Sequence, residues 1–484
     1  MKKSTNLLLT LALGSMLFSA PALAQDNPGE GGWTLPEAIE YAKKNNLQVK
    51  QTRINRDVTA IDLKQAKLDR LPSLNGSAQS AFSSGTTVDP TVQELRVNEY
   101  TSLGIGADAS VPLFMGLQQT NLIKQRDLDL QASEFDIQSI QDDISLQIIT
   151  SYLNVLFAEE LIKTAELQRG TTQQQLDRTR ILFKAGSVAE VAVLDLESQL
   201  ATDDLDIITA RNQRDISRLS LIQLLNLESD QARDFEIVIP EVPEPDQLPV
   251  LVEPALVYDA ALQNQPGVRA ADLRVMSADK GLAIARGAYY PRLSLNANVN
   301  SFYNSENPLF ENTGEYRPIQ LGYSNQEGTE AIIYYVPKLN EIDYPLGEQL
   351  KNTIGKQIGL NLTVPIFNGL LARNNVQRAK LGQLNAKLNA DLERNQLRQT
   401  IEQAYVDALA AQRKYTAAKQ QLTALEKSYK NAELRLNSGV INTVDFYVIT
   451  TNYRTAQSNL IQAKYEYTFK LKVLDFYQGK EITL

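Results

Sequence analysis

The sequence predicts a mainly helical fold with a small amount of β-sheet, built from one unit that occurs twice. Three observations support this prediction. Residues 111–116 recur 253 positions later as residues 364–369. Each motif is followed by a proline-free stretch of helix-forming composition, and each is preceded by short segments of alternating polarity. A period this long excludes a solenoid of small repeats and indicates a tandem duplication of one large unit.

The two units differ in length. The strand-end motif Val-Pro-Leu-Phe-Met-Gly at 111–116 returns as Val-Pro-Ile-Phe-Asn-Gly, and Gly186 returns as Gly439 at the same offset of 253. Upstream of these motifs, Asn45 and Pro72 recur as Asn264 and Pro291 at an offset of only 219. The second unit therefore carries 34 additional residues between its two strand segments.

The first 24 residues have the pattern of an export signal, with Lys2 and Lys3 before an apolar stretch and an Ala-Leu-Ala cleavage site at 22–24. The predicted organisation is a signal peptide at 1–24, a first unit at 25–235, a linker at 236–254 and a second unit at 255–484. The linker is assigned from its prolines, which favour an extended segment.

Two alternating strand segments are predicted in each unit. The clearest are residues 103–113, 293–299 and 358–366, and a fainter one surrounds 74–82. Alternation fits an ordinary half-buried strand as well as a membrane-barrel strand that faces lipid on one side. Four strands cannot close a barrel, so strands embedded in a membrane would have to come from several chains. The segments between the paired strands, about 83–100 and about 303–352, are interpreted as a short and a long loop.

The longest predicted elements are helices over residues 117–185 and 370–438, each 69 residues and therefore roughly 100 Å if unbroken. The second contains a heptad seam at alternating spacings of three and four, which predicts packing against a partner helix: Ile401, Ala404, Ala408, Ala411, Tyr415, Ala418, Leu422, Leu425, Tyr429, Ala432 and Leu436. The first helix shows the same seam from Ile148 to Ala165 and loses it at Arg169.

Gly186 and Gly439 interrupt the two helical stretches, and helix-forming sequence resumes at once after each. A glycine that ends one helix just before another begins predicts a tight antiparallel helical hairpin. The alternative is a glycine tolerated inside a continuous helix. The matched position of the two glycines favours the hairpin.

Composition excludes several classes of protein. The chain has no cysteine and no histidine, which removes disulfides, the usual zinc sites and Ser-His-Asp triads. A net charge of −9 without a basic patch argues against nucleic acid. No Gly-x-x-x-x-Gly-Lys phosphate loop is present, so no ATP hydrolysis is expected. We expect neither an enzyme nor a bound cofactor or metal.

The ordered motifs resemble those of the TolC-like outer membrane efflux proteins: Leu-Pro-Ser-Leu at 71–74 and Tyr-Pro-Arg-Leu at 290–293 opening the strands, Val-Pro-[Leu/Ile]-Phe-x-Gly at each strand-to-helix passage, and a glycine turn in each hairpin. The resemblance extends from Trp33 to about Gly479. It implies a homotrimer with a 12-strand outer-membrane β-barrel, continued by a 12-helix periplasmic α-barrel.

The resemblance also implies a role for the hairpin tips, which in that family form the periplasmic entrance and meet a periplasmic adaptor protein. The corresponding residues are Lys184, Ala185, Gly186, Ser187 and Val188 in the first tip and Asn437, Ser438, Gly439, Val440 and Ile441 in the second. The tip glycines can also be explained as turn residues alone.

Two acidic positions narrow the entrance of the family's best-known member. Asp445 matches the first of them, whereas Val448 stands at the second and Ile441 stands at a basic position of the family pattern. Asp195 follows the first tip and is a second candidate entrance carboxylate, although a solvated helix-face carboxylate explains it as well. These departures predict an entrance that is less acidic and is held closed differently.

The predicted function is a passive exit duct in the outer membrane of a Gram-negative bacterium, with a long periplasmic extension. It would serve a tripartite efflux or type I secretion system and carry small toxic molecules or a secreted protein. Its expected partners are two further copies, a periplasmic adaptor (membrane fusion) protein, an inner-membrane pump reached through the adaptor, and outer-membrane lipid. The alternative is an exported coiled-coil scaffold or adhesin without a pore.

Overall fold

The computed structural model describes residues 32–88, 95–239, 244–245, 252–324 and 328–480. The predicted signal peptide and most of the predicted linker lie outside these residues. The first unit contains α1 (Leu35–Asn45), α2 (Leu47–Leu68), β1 (Ser73–Val88), β2 (Leu95–Met115), α3 (Gln118–Lys184), α4 (Glu190–Leu225) and α5 (Ser229–Arg233). The second contains α6 (Pro254–Asn264), α7 (Pro266–Gly287), β3 (Arg292–Asn304), β4 (Leu309–Tyr323), β5 (Ala331–Ile342), α8 (Leu346–Asn352), β6 (Gly355–Thr363), α9 (Leu371–Asn437) and α10 (Thr443–Tyr477).

A four-stranded antiparallel sheet in the order β1-β2-β3-β6 joins the two units. Apart from an irregularity between Pro112 and Phe114, its register places the alternating apolar residues of the four strands on one face. One row across the sheet is Leu74, Ala109, Ala297 and Ile358. The opposite face carries Ser, Asn, Gly and Gln side chains, some of which bond across the strands, such as Ser110 Oγ to Asn296 Oδ1 at 2.8 Å. The sheet therefore has one apolar and one polar surface.

Both predicted inter-strand loops were wrong in part. The segment read as a loop at 83–100 is largely strand, because β1 and β2 continue as a pair to Val88 and Leu95. The long segment at 303–352 contains a separate antiparallel hairpin, β4–β5, followed by α8. Its Asn, Pro and Gly content favours turns, but runs such as 331–336 are β-branched and aromatic and pair with β4.

The helices lie side by side in a row, and the neighbours of each helix change along the molecule. Near the sheet, α2 packs on α3, α3 on α7, and α7 on α9. Toward the hairpin turns the neighbours become α4–α3, α3–α10 and α10–α9. The long helices α3 and α9, 67 residues each, extend through both of these regions, from the sheet to the hairpin turns. They confirm the predicted helices of roughly 100 Å.

The predicted heptad seam of α9 is buried where it meets α10: Ala411, Tyr415 and Ala418 pack with Ala463 and Tyr467. The prediction that the α3 seam ends at Arg169 was wrong. Its three-and-four spacing continues through Thr172, Leu176 and Thr179, which are all buried. Two of these residues are threonines, and a search for apolar residues alone does not register them.

The widest part of the core lies midway along the helices, where α1 packs on α3 and α4. Trp33 is buried there against Tyr41 and Phe235 with ring centroids 5.0 and 5.9 Å away. The Tyr152 hydroxyl donates to the Trp33 carbonyl at 3.0 Å. Ile237, inside the predicted linker, forms a bridge with Trp33, so the start of the linker is fixed to the body.

The passage from β2 to α3 requires an unusual backbone. Gly116 and the following Leu117 both have φ of 61°, and their counterparts Gly369 and Leu370 have 62° and 65°. A Cβ at Gly116 would lie 2.4 Å from the Gly287 carbonyl oxygen, whereas nothing lies within 4 Å of one at Gly369. Gly116 thus allows β2 and the end of α7 to approach, and it ties the second unit to the first.

We expect Gly116→Ala to destabilise the protein more than Gly369→Ala. Both substitutions place a side chain in the left-handed region, at a cost of about 1 kcal/mol. Only the first adds a steric clash, which costs about 1–3 kcal/mol more. The measurement is the temperature at which helical circular dichroism is lost in detergent. Equal losses in the two variants would contradict the close approach of Gly116 and Gly287.

A partly buried carboxylate makes the fold sensitive to pH. Burial raises the pKa of Asp142 on α3 to about 6; Lys43 opposes this rise and Asp143 adds to it. Tyr477 of α10 faces the same two carboxylates. A carboxyl group whose pKa rises on folding binds its proton more tightly in the folded state. Its ionisation therefore lowers stability as the pH rises from about 4 through about 6.

We accordingly expect Asp142→Asn to stabilise the protein by about 1–2 kcal/mol at about pH 8 and by little at about pH 4. Heat unfolding at both pH values measures the effect. Asp127→Asn is the control, because Asp127 is an exposed carboxylate on the same helix. A gain that is independent of pH would contradict the ionisation argument.

Candidate entrance and subunit edges

The two helical hairpins end in matching turns. Gly186 and Gly439 have φ of 73° and 71°. In each turn the glycine N–H donates to the carbonyl three residues back, and the next N–H donates to the carbonyl five residues back, at 2.9 to 3.0 Å. This pattern satisfies the last carbonyls of each long helix and needs a left-handed residue. It confirms the predicted hairpins and excludes a glycine inside a continuous helix.

The structure places the predicted tip residues at these two turns. Lys184 ends α3 and Asn437 ends α9, and the remaining residues connect each long helix to the next helix. Residues 184–187 and 438–440 are exposed, whereas Val188 and Ile441 are partly buried. The tips are therefore the most accessible part of each hairpin.

Asp445 is exposed in the first turn of α10, and its N–H donates to the Asn442 side chain at 2.7 Å. A carboxylate in the first turn of a helix is also favoured by the helix dipole. Asp195 is exposed on α4. It stands 253 positions before Val448, so the two hairpins carry their carboxylates at different distances from the tip. The two candidates lie on separate hairpins.

An exposed apolar stripe beside Asp445 was missed in the sequence. Val444 and Val448 are more than half exposed and lie four residues apart on α10, so they share one side of that helix. Val440, which is also more than half exposed, lies in the turn just before it. The missed signal was this run of exposed valines, since the sequence alone registers Val448 only as the loss of a carboxylate.

The hairpins are held internally by different contacts. In the second, Tyr429 stacks on Tyr453 with ring centroids 5.0 Å apart and packs against Phe446 at 5.7 Å. In the first, the buried Asp203 accepts hydrogen bonds from Thr172 and from Gln199. Burial raises the pKa of Tyr447, which lies on α10 within reach of the Asp203 charge. Each hairpin is therefore a packed unit.

Both lateral edges of the chain are unpartnered among the residues that the structure describes. In the sheet that these residues form, β1 and β6 each have a neighbour on one side only. The helix row ends with α2 and α4 on the β1 side and with α9 on the β6 side. These helices carry exposed apolar rows: Leu47, Ile54, Val58, Ile61 and Leu68 on α2; Leu205, Ile208, Ile216 and Leu219 on α4; Leu381, Leu384, Leu388 and Leu392 on α9. The spacing of the α2 row, mostly seven, is that of a packing seam.

Within the part of the chain that the structure describes, no helix is both long and apolar enough to cross a membrane. Among the same residues, no group of three or more His, Cys, Asp or Glu side chains could hold a metal ion.

Comparisons with known proteins agree with this geometry. The family model described as outer membrane efflux protein matches residues 38–227 and 257–480. Outer membrane protein TolC from Escherichia coli is 22% identical over 473 residues, covering 96% of this chain and 84% of that protein. The crystal structure of CusC aligns with a TM-score of 0.72 at 16% identity, covering 92% of both chains. The Campylobacter jejuni CmeC outer membrane channel aligns with a TM-score of 0.70 at 18% identity, covering 92% of this chain and 85% of that one.

The two family-model matches fall on the two predicted units and together span most of the chain. The solved structures share the fold over more than nine-tenths of this chain. The chain therefore belongs to the outer membrane efflux protein family.

Proposed function

We propose that three copies of this chain form a passive duct through the outer membrane and the periplasm. The observation that carries the proposal is the alignment of open edges. The free edges of β1 and β6 and the exposed apolar rows of α2, α4 and α9 lie on the same two sides of the chain, from the sheet to the hairpins. Each copy then forms one third of the barrel wall. Its edge formed by β1, α2 and α4 meets the edge formed by β6 and α9 of the next copy.

The sheet supports a 12-strand outer-membrane β-barrel in this assembly. Lipid cannot satisfy unpaired backbone groups, so β1 and β6 must pair with each other between copies. They have the required antiparallel directions, since β1 is antiparallel to β2, β2 to β3 and β3 to β6. The apolar face would contact lipid, and the face of Ser, Asn and Gly would line a water-filled interior.

The helices would continue the barrel as a 12-helix periplasmic α-barrel of roughly 100 Å, the length of α3 and α9. The hairpin tips would form its entrance and the docking site of a periplasmic adaptor. An inner-membrane pump reached through the adaptor would supply the energy. The cargo would be small toxic molecules or a secreted protein, as in tripartite efflux or type I secretion. Residues 1–24 would be removed on export.

At the entrance, three copies of Asp445 would form a carboxylate ring beside the valine stripe of residues 440, 444 and 448. Opening would require the hairpins to separate from one another, which is a shift between two packed arrangements. Val448 and Ile441 stand at charged positions of the family pattern and leave apolar contact as the means of closing the tips, while the carboxylates favour cations.

We expect Ile61→Arg on α2 or Leu388→Arg on α9 to prevent trimer formation. Each would place a charge in an apolar interface, where burial of the original side chain contributes about 1.5–3 kcal/mol per copy. Light scattering of the purified protein in detergent gives the mass. Met276→Arg is the matched control, because Met276 is an exposed apolar residue on α7, inside the helix row. A wild-type protein that is monomeric and extractable without detergent would support the scaffold alternative instead.

We expect Asp445→Asn to raise the permeability of the channel to anions relative to cations, by roughly twofold or more, because it removes three charges from the narrowest region. Planar-bilayer recordings in a salt gradient measure the shift. Asp195→Asn reports the contribution of the first hairpin, and Asp177→Asn serves as an exposed control on α3. Unchanged selectivity in Asp445→Asn would remove Asp445 from the entrance.

A further inference from the structure

The β4–β5 hairpin is the main structural content of the additional residues in the second unit, and it has few contacts with its own chain. It forms a sheet of its own, residues 305–308 join it to β3, and α8 joins it to β6 and packs on β3. Large apolar side chains on both strands are about half exposed or more, among them Tyr316, Leu321, Ile333, Tyr334 and Tyr335. A solitary two-stranded hairpin is marginally stable in water, so a further contact is needed to hold it.

The two strands of this hairpin have different edges. β4 carries Glu311, Glu315, Arg317 and Pro318, which protect an edge from pairing with another strand. Residues 331–336 of β5, Ala-Ile-Ile-Tyr-Tyr-Val, contain no charge and no proline. An edge of this composition readily accepts a new strand. β5 is therefore the strand open to augmentation.

A complementary edge exists at the other side of the chain. β1 has 16 residues and β6 has nine, so at least seven residues of β1 have no part of β6 to pair with at a subunit seam. The upper part of β1, residues 81–88, also lacks charge and proline, and its free side has no partner strand within the described ranges of the chain. Nine residues suffice to cross the apolar part of the outer membrane, so this part of β1 extends beyond it.

The connection between β5 and β6 ties the base of the hairpin to the end of β3. After β5 the chain forms α8, which replaces β6 as the neighbour of the end of β3. The Gln349 side chain exchanges hydrogen bonds with the Asn304 N–H and carbonyl, both at 3.0 Å, and Thr353 Oγ1 donates to the Phe302 carbonyl at 2.8 Å. These hydrogen bonds end the pairing of β3 with β6 at Gly355 and fix the base of the hairpin beside the β6 edge.

We propose that β5 of one copy pairs with the upper part of β1 of the neighbouring copy, outside the membrane. The occupant of the β5 edge is thus a second copy of this chain. In this position β5 extends the line of β6 and runs antiparallel to β1, so each of the three subunit seams continues above the lipid. The inference rests on the proposed trimer and adds an interface that the membrane barrel does not require.

Cysteine cross-linking in the full-length protein tests this interface, since the chain has no cysteine of its own. Thr86→Cys on β1 is combined in turn with Ile333→Cys, Tyr334→Cys and Tyr335→Cys on β5. Three positions are used because the structure of one copy does not fix the register between β5 and β1 of the next copy. Paired strands about 5 Å apart allow a disulfide between facing residues. We expect mild oxidation in outer-membrane vesicles to convert at least one pair to a covalent trimer, seen by non-reducing electrophoresis and reversed by reductant.

Two controls separate the outcomes. Thr86→Cys with Arg317→Cys, on the charged β4 edge, should not cross-link. Ser77→Cys combined in turn with Gln357→Cys, Gly359→Cys and Asn361→Cys tests the β1–β6 seam of the trimer itself. Covalent trimers from the β1–β6 pairs without any from the β1–β5 pairs would overturn the inference and leave the proposed function standing. Absence of both would overturn the proposed trimer as well.

A bond within one chain would be distinguished by co-expression. Thr86→Cys and the reactive β5 variant are carried on two separately tagged copies of the chain. Formation of a covalent dimer that carries both tags supports pairing between copies. Cross-linking seen only when both cysteines lie on the same chain, without a change in mass, would contradict it.

Discussion

The structure depends on one constraint, namely that the backbone hydrogen-bonding groups at a strand edge must find partners. The four-stranded sheet ends at β1 and β6, and a chain that places this sheet in lipid cannot leave either edge open. The same two sides carry the exposed apolar rows of α2, α4 and α9. Strand pairing and helix packing therefore favour the same side-by-side association of copies. The long helices extend the same two sides of the chain from the sheet to the hairpin turns.

Most side chains in this protein are partly exposed in the single chain, and the exposed apolar residues are ordered in rows. The largest buried cluster of the helix row lies around Trp33 and Tyr152, and the other buried clusters along the helices are small. The internal seams of the row use small residues such as Ala404, Ala408 and Ala411, which let helices approach closely. In the proposed trimer, association of the copies would supply burial that a globular domain obtains from its own core.

The duplication gives two similar hairpins whose ends are chemically different. The backbone of the two glycine turns is nearly identical, but Asp445 and Asp195 stand at different distances from their tips, and the valine stripe belongs only to the second. The same asymmetry applies at the other end, where the second unit alone has the β4–β5 hairpin and α8. The two units thus share one backbone plan and differ mainly at their ends.

The sequence by itself determined the duplication, the long helices, the glycine turns and the family, because periodicity, proline absence and ordered motifs are local or linear signals. It did not determine the strand register that puts Leu74, Ala109, Ala297 and Ile358 on one face, the continuation of the α3 seam through Thr172 and Thr179, or the strands inside the long loop. These depend on contacts between distant segments, and only the tertiary structure decides which residues face each other.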